Sequence, residues 1–405
     1  MRILWVATKP PAPPVDGGRL VALQTVRALV AAGHAATVVA PVAAAAAAAD
    51  AARRAAAAAD VTLEPVEAAP RAWANAAVTA LVRGLPATIA RHDHAELATR
   101  VDALLAARPF DVVHAEQLQA FTACAPAIRH GVPIVLRAQN VESEVWAQRA
   151  ADGVGVRFQA ARLARIAAGL LMRSEARRLA RFEGWAVRSA AATVALTARD
   201  ADRLRSLGGD GARVVHVPAP FVATLPAGHP LPGSPAVVAP ASAGWAPNDD
   251  ARAWLVDAVW PAVATALPGA RLHLFGAPAG ARSGSVSFHA APADSRDLFP
   301  ADAIALVPLR APAGVRMRIL EAWARGLPVV ATPAAVAGLD GGADAVMTAD
   351  HPAGIAAAIG ALAADPARRA ALVAAGAAVL RERHDPARIA AALGEVYATA
   401  AGRAR

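Results

Sequence analysis

The sequence predicts an α/β protein made of two doubly wound, Rossmann-like halves facing each other across a cleft. Three observations predict it. The chain opens on strand–loop–helix–strand, a proline-dense stretch follows near its middle, and the opening pattern then repeats. At 405 residues the chain exceeds what one hydrophobic core organises, so two domains are expected.

Residues 1–8 read as a strand, and 9–18, rich in proline and glycine, as a loop. Leu20, Leu23, Val26, Leu29 and Val30 mark one face of a helix that Gly33 ends, and 36–42 is the next strand. The unit is βαβ, right-handed by expectation. Alanine-rich 43–59 reads as helix. Val112 and Val113, 134–136 and 193–196 read as later strands, the last leading into a helix near 200–207. Six prolines between 216 and 236 disfavour helix and central strand alike. Beyond them come a strand at 236–239, a loop at 240–247, a helix at 251–267 and strands at 272–275 and 304–307. A helix–strand unit at 314–332 and a closing helix pair from about 352 to 401 complete the chain. The expected division is a first domain at 1–218, a linker at 219–235 and a second domain at 236–385. A last helix, 386–405, is expected to pack back on the first domain.

Composition narrows the function. Residues are 56% hydrophobic, but much of that is alanine, so apolar burial per residue is modest. The single cysteine, Cys124, rules out an internal disulfide framework and suits a reducing compartment. The opening MRILWVATKPP has too short an apolar stretch for a signal-peptide core, and no run of about 18 strongly apolar residues exists to span a membrane. A cytoplasmic chain is expected. The net charge of +9 invites a nucleic-acid reading. The charge is dispersed, Lys9 is the only lysine and aromatics are few, so no nucleic-acid partner is expected.

The most informative segment is GVRMRILEAWARGLPVVAT at 314–332. Gly326 stops its helix, because a residue without a Cβ takes φ > 0 at low cost. The apolar run from Leu327 has the character of a strand buried on both faces. Arg316, Arg318 and Glu321 lie near the helix start, and such a set suits a ligand with hydroxyls at one end and phosphates at the other. A nucleotide sugar is such a ligand. In the first half, Asp16-Gly17-Gly18-Arg19 opens a helix where backbone N–H groups can meet an anion; an Asp-capped turn is the plainer alternative. His114 ends the strand of FDVVH and is expected to point into the cleft, against the alternative of a structural histidine. Gln139-Asn140-Val141-Glu142 reads as polar recognition at a strand end or as a helix cap. Gly244-Trp245 lies in the loop before a helix, where N–H groups can reach a diphosphate or sugar; Trp245 packing the loop is the alternative. Residues 157–188 are rich in arginine against two acids, Glu175 and Glu183, which suits an anionic membrane surface or a solvated helix face. No zinc pattern, Walker loop or G-x-S-x-G elbow is present.

Taken in order, these segments resemble the retaining, metal-independent glycosyltransferases of GT-B architecture, in the large bacterial family 4 type, also called group 1 glycosyl transferases. The residues carrying the resemblance are 16–20, 110–117, 139–144, 244–261, 307–339 and the C-terminal RERHDPARIAAAL. The resemblance implies that Glu321 binds ribose hydroxyls, that Arg316 and Arg318 face the diphosphate, and that Gly314 and Val315 at the helix start help hold it. It implies that His114 touches the donor sugar. It further implies a nucleoside-diphosphate sugar as co-substrate with no cofactor and no metal, and a glycan or lipid-linked acceptor; peripheral contact with the inner membrane surface is the expectation that the arginine-rich 157–188 stretch adds. Fixed arginines and a helix dipole would stabilise the leaving diphosphate. Four positions depart from the family pattern. Ala313 stands where a glutamate is common, Arg318 where lysine is common, no basic residue is evident around 243–246, and Ala219-Pro220 replaces an asparagine-glycine pair. The rival classes are a non-catalytic GT-B-like partner or membrane-docking protein and a nucleotide-sugar epimerase.

Overall fold

The computed structural model describes residues 1–405 except 15, 44, 69, 153–161, 241–245, 277–281, 293, 311–316, 340 and 405. The chain forms two compact units, Met1–Pro220 with Pro386–Arg405, and Phe221–Asp385.

The first unit runs β1 (Arg2–Val6), α1 (Gly17–Ala31), β2 (Ala35–Val42), α2 (Ala46–Ala57), β3 (Thr62–Glu67), α3 (Trp73–Arg83), α4 (Ala87–Ala90) and α5 (Ala95–Ala107). It continues with β4 (Val112–Glu116), α6 (Pro126–Arg129), β5 (Ile134–Ala138), α7 (Glu142–Asp152), α8 (Arg162–Ser189), β6 (Ala192–Ala195), α9 (Ala198–Gly208) and β7 (Val214–His216). Its seven strands are all parallel, in the order β3-β2-β1-β4-β5-β6-β7. Side chains alternate across a strand, so β1 divides itself between two cores. Ile3 and Trp5 join Val26, Leu29 and Val38 on one face. Leu4 and Val6 join Leu97, Val101 and Leu179 on the other.

The second unit runs β8 (Ala236–Pro240), α10 (Ala246–Trp254), a wider π turn at Leu255–Val259, α11 (Trp260–Ala266), β9 (Arg271–Phe275), β10 (Arg282–Ser283), β11 (Val286–His289) and β12 (Ile304–Val307). Then come α12 (Met317–Ala324), β13 (Val329–Ala331), α13 (Pro333–Val336), β14 (Met347–Thr348), α14 (Pro352–Ala364) and α15 (Pro366–Arg383). Its strand order is β10-β11-β9-β8-β12-β13-β14, and among the described residues only the β10–β11 pair is antiparallel. The last helix, α16 (Pro386–Ala404), belongs to the first unit.

Several elements differ from expectation. The closing helix pair is three helices, because prolines at 366 and 386 follow Asp365 and Asp385 and each opens a new helix at its first turn. Strand β3 is legible only weakly: it is an edge strand, and it carries Pro65. The 251–267 helix is longer and starts at Ala246.

Candidate active site

In the first sheet β1 and β4 are neighbours, yet the chain leaves β1 toward β2 and β4 toward β5. Such a reversal opens a crevice beyond the strands' carboxyl ends. The residues there are Thr8 and Lys9 after β1, Asp16 to Arg19 at the start of α1, Gln117 after β4 and Gln139 after β5. Asp16 caps α1, accepting from the Arg19 N–H at 2.9 Å, and Lys9 Nζ donates to both its oxygens at 2.8 and 2.7 Å. Burial works against ionising Asp16, but Lys9 and Arg19 together hold its pKa below the usual carboxylate value. The capped-turn reading of this segment therefore holds.

Gly18 sits against the glutamines. A Cβ there would lie 2.8 Å from Gln139 Oε1 and 3.1 Å from Gln117 Nε2. Those side chains are tied: Gln117 donates to Gln139 Oε1 at 2.8 Å, Thr8 donates to Gln117 Oε1 at 3.1 Å, and Gln139 donates to the Gly18 carbonyl at 3.2 Å. Gln117 holds φ at 71°, an uncommon conformation for a residue with a Cβ. Gly18 is thus needed for close approach. Thr8, Lys9, Arg19, His92, Gln117 and Gln119 line a cavity of about 650 Å³ walled by proline and alanine.

His114 does not face open space, which corrects its reading as a sugar-touching residue. Register pairs it with Trp5 on β1, and the two rings stack with centroids 3.7 Å apart. Its side chain is fully buried, with Nδ1 at 2.8 Å from the Tyr397 hydroxyl on α16 and Nε2 at 3.1 Å from Glu116. Burial drives its pKa down to about 4 despite the neighbouring carboxylate. The neutral ring therefore donates from Nε2 to Glu116 and accepts at Nδ1 from Tyr397. Glu116 also pairs with buried Arg137 at 2.7 Å and accepts from Gln139 at 2.5 Å. His114 fixes Glu116, which holds Gln139 at the crevice. Sequence reading missed Glu116, Arg137 and Tyr397. The available signal was Arg137 inside the apolar run IVLRA, since a charge in a buried strand needs a partner.

The second sheet repeats the reversal between β8 and β12. The loops leaving those strands, 241–245 and 311–316, lie outside the described residues. Gly244, Trp245, Ala313, Gly314, Val315 and Arg316 lie there. Arg310, just before the second of these segments, donates to both oxygens of Asp250 on α10 at 2.9 and 2.7 Å. Nothing in the sequence signals that pair.

Arg318 and Glu321 do meet. Arg318 Nη1 lies 3.0 Å from Glu321 Oε2 on the next turn of α12. Glu321 is buried, and Arg325 holds its other oxygen at 3.1 Å while also donating to Ser295 Oγ at 3.0 Å and to the Pro226 carbonyl. Arg325 was missed, although its i,i+4 spacing from Glu321 was a usable signal. Gly326, at φ 73°, then ends the turn and β13 begins at Val329.

Two doubly wound units, each with a crevice at its switch point, define a two-domain ligand-handling fold. Residues 16–220 match the model of the glycosyl transferase 4-like domain, and residues 235–365 that of glycosyl transferases group 1. The chain belongs to this glycosyltransferase family and has the GT-B fold. It is similar in structure to the HepE protein of Anabaena in complex with UDP and glucose, at TM-score 0.64 and 16% identity over 98% of this chain and 99% of that one. It is likewise similar to sucrose-phosphate synthase of Thermosynechococcus elongatus, at TM-score 0.65 and 15% identity over 98% of each chain. A third is a glycosyltransferase from Rickettsia africae, at 0.60 and 10%, again over 98% of both chains. No curated protein matches the sequence.

Proposed function

We propose that this glycosyltransferase moves a hexose-like sugar from a nucleoside-diphosphate sugar to a glycan or lipid-linked acceptor, with retention and without a metal or other cofactor. The observation that carries the reading is the Arg318–Glu321–Arg325 cluster at the helix after the switch-point strand of the second unit. Among the described residues Glu321 Oε2 receives one donor, Arg318, so it keeps acceptor capacity for a ribose hydroxyl. Arg318 and Arg316 supply positive charge for the diphosphate as negative charge develops on it, with Gly314 and Val315 just before α12 in the sequence and Gly244-Trp245 just before α10 as further contacts. The UDP-sugar complexes of the Anabaena neighbour support a nucleotide-sugar donor. The cavity lined by Lys9, Arg19 and His92 in the first unit is the acceptor side, with Gly17 and Gly18 preceding Arg19 at the start of α1. His114 acts only by positioning Glu116. The protein works in the cytoplasm, at the inner face of the membrane.

Calorimetry with nucleoside diphosphates tests the reading. Binding is expected, and Arg316→Ala should weaken it about tenfold or more, the range for a hydrogen bond to a charged group. A folded chain that binds no nucleoside diphosphate, or an Arg316→Ala variant that binds as well as the parent, would sink it. Tight binding with neither transfer nor slow donor hydrolysis would instead favour a non-catalytic relative, consistent with Ala313.

A further inference from the structure

Helix α3 buries Ala76 and Ala80 and opens on Trp73, which is 51% exposed. Trp146 on α7 meets that ring edge to face, with centroids 6.0 Å apart and planes at 74°. Arg91 lies over the Trp73 ring at 4.8 Å and Arg149 over the Trp146 ring at 5.3 Å. The corner so formed offers flat apolar surface with hydrogen-bond donors beside it. It adjoins the cavity of about 650 Å³ in the same unit. Pro70 and His92 line that cavity; Arg91 precedes His92, and Trp73 follows Pro70 by three residues, at most about 11 Å of chain. Arg71 clamps the two segments, its backbone N–H donating to the Arg91 carbonyl and its guanidinium to the Ala90 carbonyl, each at 3.0 Å.

The cavity's cations are already committed, because Lys9 and Arg19 both pair with Asp16. Burial, with Arg91 and His94 nearby, pulls the pKa of His92 down to about 4, so its ring is neutral at pH 7. Two lining residues carry a buried polar atom with no hydrogen-bond partner among the described residues: His92 Nδ1 and Gln119 Oε1. Gln119 also hydrogen-bonds Glu142, which leaves its amide oxygen for another donor. An anion cannot satisfy an amide oxygen. A hydroxyl can, and it suits a neutral imidazole in either tautomer because it both donates and accepts. Pro10, Pro13, Pro41 and Pro70 supply apolar wall for C–H groups. Hydroxyl partners beside apolar walls describe a site for a neutral sugar.

We infer that the first unit binds an uncharged acceptor glycan of at least two sugars, its terminal sugar in the cavity against His92 and Gln119 and the next sugar stacked on Trp73. The C–H face of a pyranose is flat and apolar, as an indole requires, and Arg91 stands beside it to donate to hydroxyls. An acyl chain is the poorer occupant of the corner, because it offers the two guanidinium groups no acceptor. The inference rests on the reading of this cavity as the acceptor side, and it narrows that reading from any glycan or lipid-linked acceptor to a neutral oligosaccharide end.

Calorimetry of the full chain with methyl glycosides of neutral mono- and disaccharides, in the gluco, galacto and manno series, tests it. Sugar 6-phosphates and octyl glycosides represent the competing chemistries. No nucleotide is added, so a chain that binds a nucleoside diphosphate but none of these sugars loses this inference and keeps its donor site. At least one disaccharide is expected to bind about fivefold tighter than its monosaccharide. Trp73→Ala should remove that advantage and Trp73→Phe should keep part of it. His92→Ala should weaken both sugars alike, by about fivefold. Melting temperatures equal to the parent's will show that the variants are folded. Equal affinity for mono- and disaccharide, no sugar bound at all, or variants that bind like the parent would overturn the inference. So would tighter binding of a sugar phosphate, or an octyl-glycoside advantage that Trp73→Ala removes, which would seat a lipid tail on the corner.

Discussion

Glu321 is a buried charge whose cost depends on its two guanidinium partners. Glu321→Ala would leave both arginines facing an empty site, and removing one partner of a buried ion pair costs about 3–5 kcal/mol. Glu321→Gln keeps the volume and one acceptor, so it should fold with a smaller loss. If Glu321 holds the ribose, Glu321→Gln should still lower nucleoside-diphosphate affinity by about tenfold. Thermal melts of both variants, with calorimetry on the second, check this, and an unchanged affinity would remove Glu321 from the site. Glu183 shows the opposite electrostatics. Burial, with half-buried Glu142 nearby, pushes its pKa up from 4.5 to about 7, although the Ser143 and Glu142 N–H groups oppose the shift. The folded chain therefore keeps this proton between about pH 4.5 and 7 while the unfolded chain releases it. Stability from this group is fully present below pH 4.5 and is lost as pH rises through 7, a fall of roughly 3 kcal/mol for a shift of this size. Denaturant titrations at pH 5 and pH 8 should show that difference shrinking in Glu183→Gln. A pH dependence identical to the parent's would show that Glu183 is not the group responsible.

At the scale of elements, α12 and α15 meet through a contact only glycine permits. A Cβ on Gly376 would lie 2.4 Å from Trp323 Cδ1 and 2.5 Å from its Cγ. The indole has little freedom to yield, since its Nε1 donates to the Ala345 carbonyl at 3.2 Å. Glycine inside a helix ordinarily costs about 0.5–1 kcal/mol relative to alanine, so Gly→Ala there is usually stabilising. Overpacking costs about 1–3 kcal/mol, and here it wins. Gly376→Ala should therefore lower the melting temperature, whereas Gly360→Ala on α14, where the nearest contact is 3.9 Å, should not. Equal melting temperatures for the two variants would show that Trp323 can move aside. Elements of this kind also mark what was legible in the sequence. Strands β1, β2, β5 and β12 and helix α1 could be read because their apolar periodicity matches their burial. Gly326 could be read because a positive φ selects glycine. Arg318 and Glu321 could be paired from helical spacing alone. His114 could not be placed, because its role depends on Tyr397 far along the chain. The Arg310–Asp250 tie was equally hidden, since the sequence records no distance across a sheet. Helix α3 was overlooked because its exposed side is the apolar one.

At the scale of the whole molecule, the chain completes its first unit only after building its second. Helix α16 returns to the first unit, and Ile389, Ala390, Leu393, Val396, Tyr397 and Ala400 enter the same core as Ile3, Trp5, Val26 and Leu29. Each large apolar side chain fully buried contributes about 1.5–3 kcal/mol. Four such residues on one helix therefore approach the whole stability of a typical domain, about 5–15 kcal/mol. Removing them also strips His114 of its tyrosine hydroxyl, leaving a buried nitrogen without its donor. A chain ending at Asp385 should thus keep its second unit and lose its first. Hydrogen exchange separates these outcomes, because amides exchange with the unit that opens. In the shortened chain the amides of β1, β2 and β4 should exchange rapidly while those of β8, β9 and β12 stay protected. A synthetic peptide of residues 386–404 should restore protection to the first set. If β1, β2 and β4 remain as protected in the shortened chain as in the full one, α16 is an appendage rather than part of that core.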